Sequence, residues 1–401
     1  MKNLLMIYYD GFPIYRTKLD GGPIPTPHLE SLIKKSTFYS NVISAAPSTA
    51  MSLTSMFTGY YPHEFGRRSY ALSDDSVGAL PQGTTTLFSE LENMGYSTHV
   101  IWDDVMVQKD QKMRINAWTG ENTKFFTKKV ISNPLLNKIE RKIFKGYGRS
   151  WEADRVMSYV KTLKEPWAVF ARFAREVGKD FKGASNEVSN NNWDDEIYDS
   201  DHSINLIFNQ LPQNTRFIIT SDHGRMYGEQ GIWGYAFNLC EGSMKVFLVD
   251  YDPTSNTIKE NNKLTSLINF KNIVLNRSLR KTKYIYADSA YADQWHRKTM
   301  IRKGHWKYIY HKDSWPCKDQ LFDLRNDPHE LINLASENWV DPYRDSRPKG
   351  DTRYNTFSPS VFNIDGKPTR DVLLRNDWDY VYAQLEELRE ERKRIWSLQG
   401  V

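Results

Sequence analysis

The chain has 401 residues, with 54 Lys plus Arg against 49 Asp plus Glu and a formal net charge of +5. That length allows one large α/β domain with an appendage, or two domains, around a substantial core. Charges of both signs are spread along the chain, and the basic runs "ERKIFKGYGR" and "RSLRKTKY" lack a periodic scheme of Arg and aromatics, so they read as solvated faces and the expectation is no nucleic-acid partner, while an anionic substrate stays compatible.

The first element predicted is a strand. "LLMIYY" (4–9) is a continuous apolar run ending at Asp10, the pattern of a parallel strand buried on both faces. The same opening is too short for a signal-peptide core or a membrane span, so a cytoplasmic chain with no transmembrane segment is expected. "TPHLESLIKKS" follows, with Thr26 as a cap, Pro27 at the first helical position and apolar residues at Leu29, Leu32 and Ile33; it reads as a helix. "TTLFSELENMGYSTHVIW" reads as helix, Gly95 stop and strand. The order repeats in "SWEADRVMSYVKTLKEPWAVFARF" and again in "DSDHSINLIFNQLPQNTRFIITSDHG". Such alternation predicts an α/β fold, a mainly parallel sheet sandwiched by helices.

After about Lys281 the texture changes to short strand-like pieces, "KYIYAD", "KTMIR", "WKYIYH" and "QLFDL". They predict a small antiparallel sheet, so the chain divides into a catalytic α/β domain at 1–280 and a C-terminal subdomain at 281–401. Residues 339–368, rich in Pro, Asp, Arg and Ser, read as a long loop. "DWDYVYAQLEELREERKRIW" sets Trp378, Val381, Leu385, Leu388 and Ile395 at helical spacing, a terminal amphipathic helix expected to pack on the body rather than on a membrane. Cys240 and Cys317 stand far apart, which gives no metal spacing and no disulfide framework.

In open α/β sheets chemistry collects at the carboxyl ends of strands. Asp10 closes the first strand, and Asp222 with His223 close "RFIIT" in the turn "TSDHG". Two carboxylates and an imidazole from separate strand ends make a candidate divalent-metal site, with Zn or Mn favoured by the histidine. Each signal alone reads equally well as a cap or a turn. In "SAAPSTAMSLTSMFTG", Thr49 is expected to cap a helix starting at Ala50. Its hydroxyl would then stand among the free backbone N–H groups that favour an anion. On spacing alone, a plain cap and an activated hydroxyl are equal readings.

Taken in order, "TPHLESLIKKSTFYSNVISAAPST" and "SMFTGYYPHEFG" resemble the amino-terminal signature of the sulfatase family in the alkaline phosphatase superfamily. That signature runs Thr-Pro-Asn-Leu, an aromatic, an Asn, a Pro two before the nucleophile and a Thr-Gly nine after it. Asn41, Pro47 and Thr58-Gly59 fall on this spacing and put Thr49 at the nucleophile position. The likeness continues through "GTTTLFSELENMGYSTHVI", "FIITSDHGRMYGEQGIWG", "MIRKGHWKYIY" and "QLFDLRNDPHELINLA". It implies the sulfatase-like sandwich with a small C-terminal antiparallel sheet, and a divalent metal (Zn, Mn or Ca) at Asp10, Thr49, Asp222 and His223.

Several positions depart from the family pattern. Cys or Ser, oxidised to formylglycine, usually stands where this chain has Thr49. The usual arginine four residues on is Leu53, the second Asp of the usual pair is Gly11, and the Lys-x-His after the "GYxT" strand is replaced around Trp102, Asp103 and Asp104. A histidine expected after the Asp-His-Gly turn falls at Tyr235, and another near Arg172. Arg172, Tyr235, His296 and Arg297, with Arg175 and Lys179, are the candidate substrate-binding replacements.

"STAMSLTSMF" is also similar to the nucleophile segment of lipid phosphoethanolamine transferases, whose threonine carries a phospho-group beside zinc. The resemblances together imply attack by metal-activated Thr49 on a sulfate or phosphate ester of an anionic small molecule, glycan or lipid headgroup, with release by water. Transfer of the phospho-group to an acceptor, and an inactive binding module, are the alternative readings.

Overall fold

A computed structural model describes residues 1–64, 83–102, 122–127, 148–173, 191–229, 232–235, 238–255, 258–289, 298–311, 319–335 and 378–398. The chain divides into two compact units, one formed by Met1–Val42, Leu80–Asp222 and Lys245–Lys263, the other by Ile43–Ala79, His223–Met244 and Leu264–Val401. Both are discontinuous in sequence.

The first unit is built on strands β1 (Asn3–Tyr9), β2 (Thr37–Ile43), β3 (Ser97–Trp102), β4 (Lys124–Thr127), β5 (Trp167–Phe173) and β6 (Thr215–Ser221). After the short strands β7 (Met226–Tyr227) and β8 (Trp233–Gly234), β9 (Lys245–Tyr251) and β10 (Lys259–Asn261) return to the same sheet, and a two-residue strand, β11 (Thr265–Ser266), follows. The spatial order is β10-β2-β9-β6-β1-β5-β3-β4. β1 pairs in parallel with both β5 and β6, β3 with β5 and β4, and β10 with β2, whereas β9 runs antiparallel to β6.

All seven residues of β1, of β5 and of β6 are buried, which explains the apolar runs at their centres: a central parallel strand buries side chains on both faces. Leu5, Ile7 and Tyr9 point into one layer with Val169, Ala171, Phe173, Phe217 and Ile219. That layer is covered by Leu29 and Leu32 of helix α1 (Pro27–Ile33), Val156 and Val160 of a helix at Gly148–Val160, and Ile197, Ile204 and Ile207 of one at Asn191–Gln210. On the opposite face Tyr8 stacks on Phe170 at 5.1 Å, and Phe88 of the helix Leu87–Asn93 meets Phe170 edge-on at 6.2 Å.

The second unit holds a four-stranded antiparallel meander, β12 (Ile285–Ser289), β13 (Lys298–Lys303), β14 (Trp306–His311) and β15 (Asp319–Asp323). Alternate residues serve its two faces: Tyr286, Ile301, Tyr308 and Leu321 pack with Leu385, Leu388 and Ile395 of the terminal helix Trp378–Leu398, while Ile285, Ala287, Met300, Ile309 and Phe322 pack with Ile43, Leu239 and Met244. Of the stripe, Leu385, Leu388 and Ile395 thus cover the sheet, while the side chains of Trp378 and Val381 lie outside the described residues. No helix among the described residues is long and apolar enough to cross a membrane. Residues 339–368, Cys317, Asp103 and Asp104 lie outside the described residues.

Candidate active site

Parallel register brings the chemistry together. Tyr9 is level with Ser221 on β6 and with Phe173 on β5, so Asp10 and Asp222, each one step beyond its strand, emerge side by side. The turn after β1 is tied to that after β6: Gly11 N–H donates to Asp222 Oδ1 at 3.1 Å, Phe12 N–H donates to Ser221 Oγ at 3.1 Å, and Ser221 Oγ donates to the Tyr9 carbonyl at 2.8 Å. Gly11 has φ 66, the left-handed region that favours glycine.

Arg172, level with Tyr8, lies on the same sheet face as Asp10. Its Nε and Nη2 donate to Asp10 Oδ2 at 3.1 and 2.6 Å, with both side chains buried. The Trp102 ring backs the guanidinium at 5.1 Å from the ring centroid.

In the second unit, Ser48 is the N-cap, in extended conformation, of helix α2 (Thr49–Thr58), so Thr49 is the first helical residue rather than the cap expected from sequence. The one-residue difference leaves the hydroxyl in the first turn, among N–H groups without helical partners. Gly59 ends the helix at φ 80.

Thr49 Oγ1 lies 3.3 Å from His223 Nε2, and His223 Nδ1 lies 2.8 Å from the Gly224 carbonyl oxygen. A carbonyl only accepts, so Nδ1 donates to Gly224 and Nε2 is the ring nitrogen that faces Thr49 Oγ1. Tyr235 stacks on this imidazole with centroids 4.6 Å apart and planes at 25°. The Arg225 guanidinium lies 4.9 Å from the Tyr235 ring centroid.

Asp10, Asp222 and His223, all buried, each offer one ligand atom, and these atoms all lie within 4.8 Å of one another. Two carboxylate oxygens and an imidazole nitrogen fit a divalent ion such as Zn or Mn; Ca prefers a cage of ~6–8 oxygens.

The Sulfatase family model matches residues 2–276. The chain belongs to the sulfatase family. Among curated relatives it is 30% identical over 152 residues to the choline-sulfatase of Rhizobium meliloti (strain 1021), covering 31% of this chain and 28% of that one. It is likewise 30% identical over 167 residues to arylsulfatase K of Rattus norvegicus, covering 34% of this chain and 28% of that one. The matched stretches therefore span about a quarter of these relatives.

Solved structures share the fold. The phosphonate monoester hydrolase of Agrobacterium radiobacter superposes with a TM-score of 0.62 at 14% identity, over 86% of this chain and 93% of that one. Ps i-CgsB in complex with k-i-k-neocarrahexaose does so with a TM-score of 0.58 at 17% identity, over 93% and 97%. The mainly parallel sheet between helices, with its small antiparallel sheet, is the architecture of the sulfatase family.

Of the residues singled out from sequence, Asp10, Asp222 and His223 come together, Thr49 joins His223, Arg172 is engaged by Asp10 and Tyr235 by His223. Arg175, Lys179, His296 and Arg297 lie outside the described residues. Trp102 and Arg225 were not singled out as site residues. Arg225 directly follows the Asp-His-Gly turn, a usable signal, whereas the place of Trp102 depends on β3 lying beside β5.

Proposed function

We propose that this sulfatase-family chain is a metal-dependent hydrolase of a sulfate or phosphate ester carried by an anionic small molecule or glycan, with Thr49 as nucleophile. The observation that carries the reading is Thr49 Oγ1 at 3.3 Å from Nε2 of His223, a residue that also belongs to the ligand cluster. Asp10, Asp222 and His223 would hold the ion. When bound, a divalent ion supplies positive charge that favours an ionised hydroxyl and screens the oxygens of the ester group.

The chain's own residues do the rest. The Gly224 carbonyl fixes the His223 tautomer, and Arg172 and the Gly11 N–H each hold one carboxylate oxygen. Thr49 Oγ1 forms a bond to sulfur or phosphorus as the ester oxygen leaves and takes up a proton. Because a threonine ester has no geminal hydroxyl through which to collapse, water must attack the same centre, breaking its bond to Oγ1 and returning the proton to Thr49. That need for a second displacement, at a position where sulfatases usually carry formylglycine, favours a phosphate ester.

The names of the relatives, choline-sulfatase and arylsulfatase K, support an ester-cleaving role. Phospho-group transfer is a second reading, favoured by the threonine itself; an added alcohol acceptor would then raise turnover. The deciding experiment compares wild type and Thr49→Ala on an aryl sulfate and an aryl phosphate with Zn or Mn present. Turnover by wild type and a loss of at least ~10³-fold in the variant are expected. A variant that keeps its turnover rules Thr49 out.

A further inference from the structure

Asp10, a member of the ligand cluster, has its carboxylate gripped by a buried arginine through two donors on a single oxygen. Both Nε and Nη2 of Arg172 converge on Oδ2, Trp102 closes over the guanidinium, and the ion pair is buried on both sides. A guanidinium keeps its charge under all ordinary conditions and its planar fork is rigid, so this grip is a fixed feature of the site.

Two consequences follow for a cation. The fork places two donors on Oδ2 of Asp10, whereas the Gly11 N–H places a single donor on Oδ1 of Asp222. A bidentate carboxylate, one of the ways in which calcium gathers its ~6–8 oxygens, is therefore disfavoured at Asp10. The arginine's charge also offsets one of the two carboxylates, so an ion held chiefly by charge on hard oxygens loses more than one that gains from an imidazole nitrogen.

We propose that Arg172 is a positioning residue that selects the cation: by holding Asp10 to single-oxygen ligation it tunes the cluster to one ion of the zinc or manganese type and against calcium. This rests on the reading of Asp10, Asp222 and His223 as a metal site.

The test uses the full chain, stripped with a chelator and titrated separately with zinc and with calcium, as wild type, Arg172→Met and Arg172→Lys. Methionine keeps the packing against Trp102 but removes charge and fork; lysine keeps the charge without the fork. Wild type should bind one zinc per chain with calcium at least 100-fold weaker. In Arg172→Met that ratio should fall tenfold or more, chiefly through tighter calcium binding. If the methionine variant does not fold, Arg172→Lys carries the test, with a fall of threefold or more expected. Zinc binding with smaller changes in the ratio overturns the role of Arg172 alone. A wild-type chain that takes up neither ion overturns the metal site itself, and this proposal with it.

Discussion

Thr49 Oγ1 and His223 Nε2 lie 3.3 Å apart, and the ring's other nitrogen is committed to the Gly224 carbonyl. One imidazole thus links the hydroxyl to the ligand cluster, with its tautomer set by the backbone. Replacing His223 with Gln is expected to weaken zinc binding by more than the ~10–100-fold typical of losing an outer hydrogen-bond partner, and to lower turnover in step. Zinc titration against a competing chelator measures it. Unchanged affinity would remove His223 from the ligand set.

Gly224 is held by close approach. Its N–H donates to the Ser243 carbonyl at 2.8 Å, and a Cβ built there would lie 2.1 Å from the Gly242 carbonyl oxygen. Backbone cannot swing aside as a side chain can, so Gly224→Ala forces the Asp-His-Gly turn to shift. A loss of about 2–3 kcal/mol is expected, with weaker zinc binding because His223 moves with the turn. Urea unfolding of the metal-free chain separates the two effects; an unchanged midpoint would show that the turn yields without cost.

Two buried histidines away from the site give the stability a pH signature. His99 on β3, hydrogen-bonded to Tyr159 Oη and Ser97 Oγ, is pulled down to about 4, chiefly by burial and then by the Lys124 charge. His311 on β14 is pulled down to about 3 by burial and the Lys298 ammonium, against the opposing hydrogen bond that its Nε2 donates to Gln320 Oε1. Both rings are neutral in the folded chain, whereas the unfolded chain takes up protons near pH 6.5, so between that pH and the depressed values unfolding binds protons. Stability from these rings is complete above pH 6.5 and is lost as pH falls towards 4 and 3. Thermal unfolding across this window should show the melting temperature dropping, with a shallower drop for His99→Gln. An equally steep drop in that variant would assign the acid sensitivity to other groups.

Strand ends are the part of the site most legible in the sequence. A central parallel strand is apolar on both faces, so its end shows as the first polar residue after the run, which marks Asp10; Asp222 is marked by the Asp-His-Gly turn that follows "RFIIT". The helix at Thr49 was legible to within one residue: Ser48 and Thr49 are both good caps, and the choice between them is made by the extended backbone at Ser48. The terminal helix was legible for the same reason as the strands, since its stripe at 385, 388 and 395 must be covered by something.

Partners across strands were not legible. Nothing local marks Arg172 as bound to Asp10; they meet because β5 lies beside β1 in parallel register, which sets Arg172 level with Tyr8 and on the face that Asp10 shares. Read from sequence, Arg172 was simply a cation available to substrate. Tyr235 likewise looked like a missing histidine until its ring was found against His223.

By itself, the sequence determined which elements form and where each strand stops, because burial and backbone geometry act within a few residues. The tertiary structure alone decided which of those ends share a ligand cluster and which cation neutralises which carboxylate, because pairing and register join residues more than 150 positions apart.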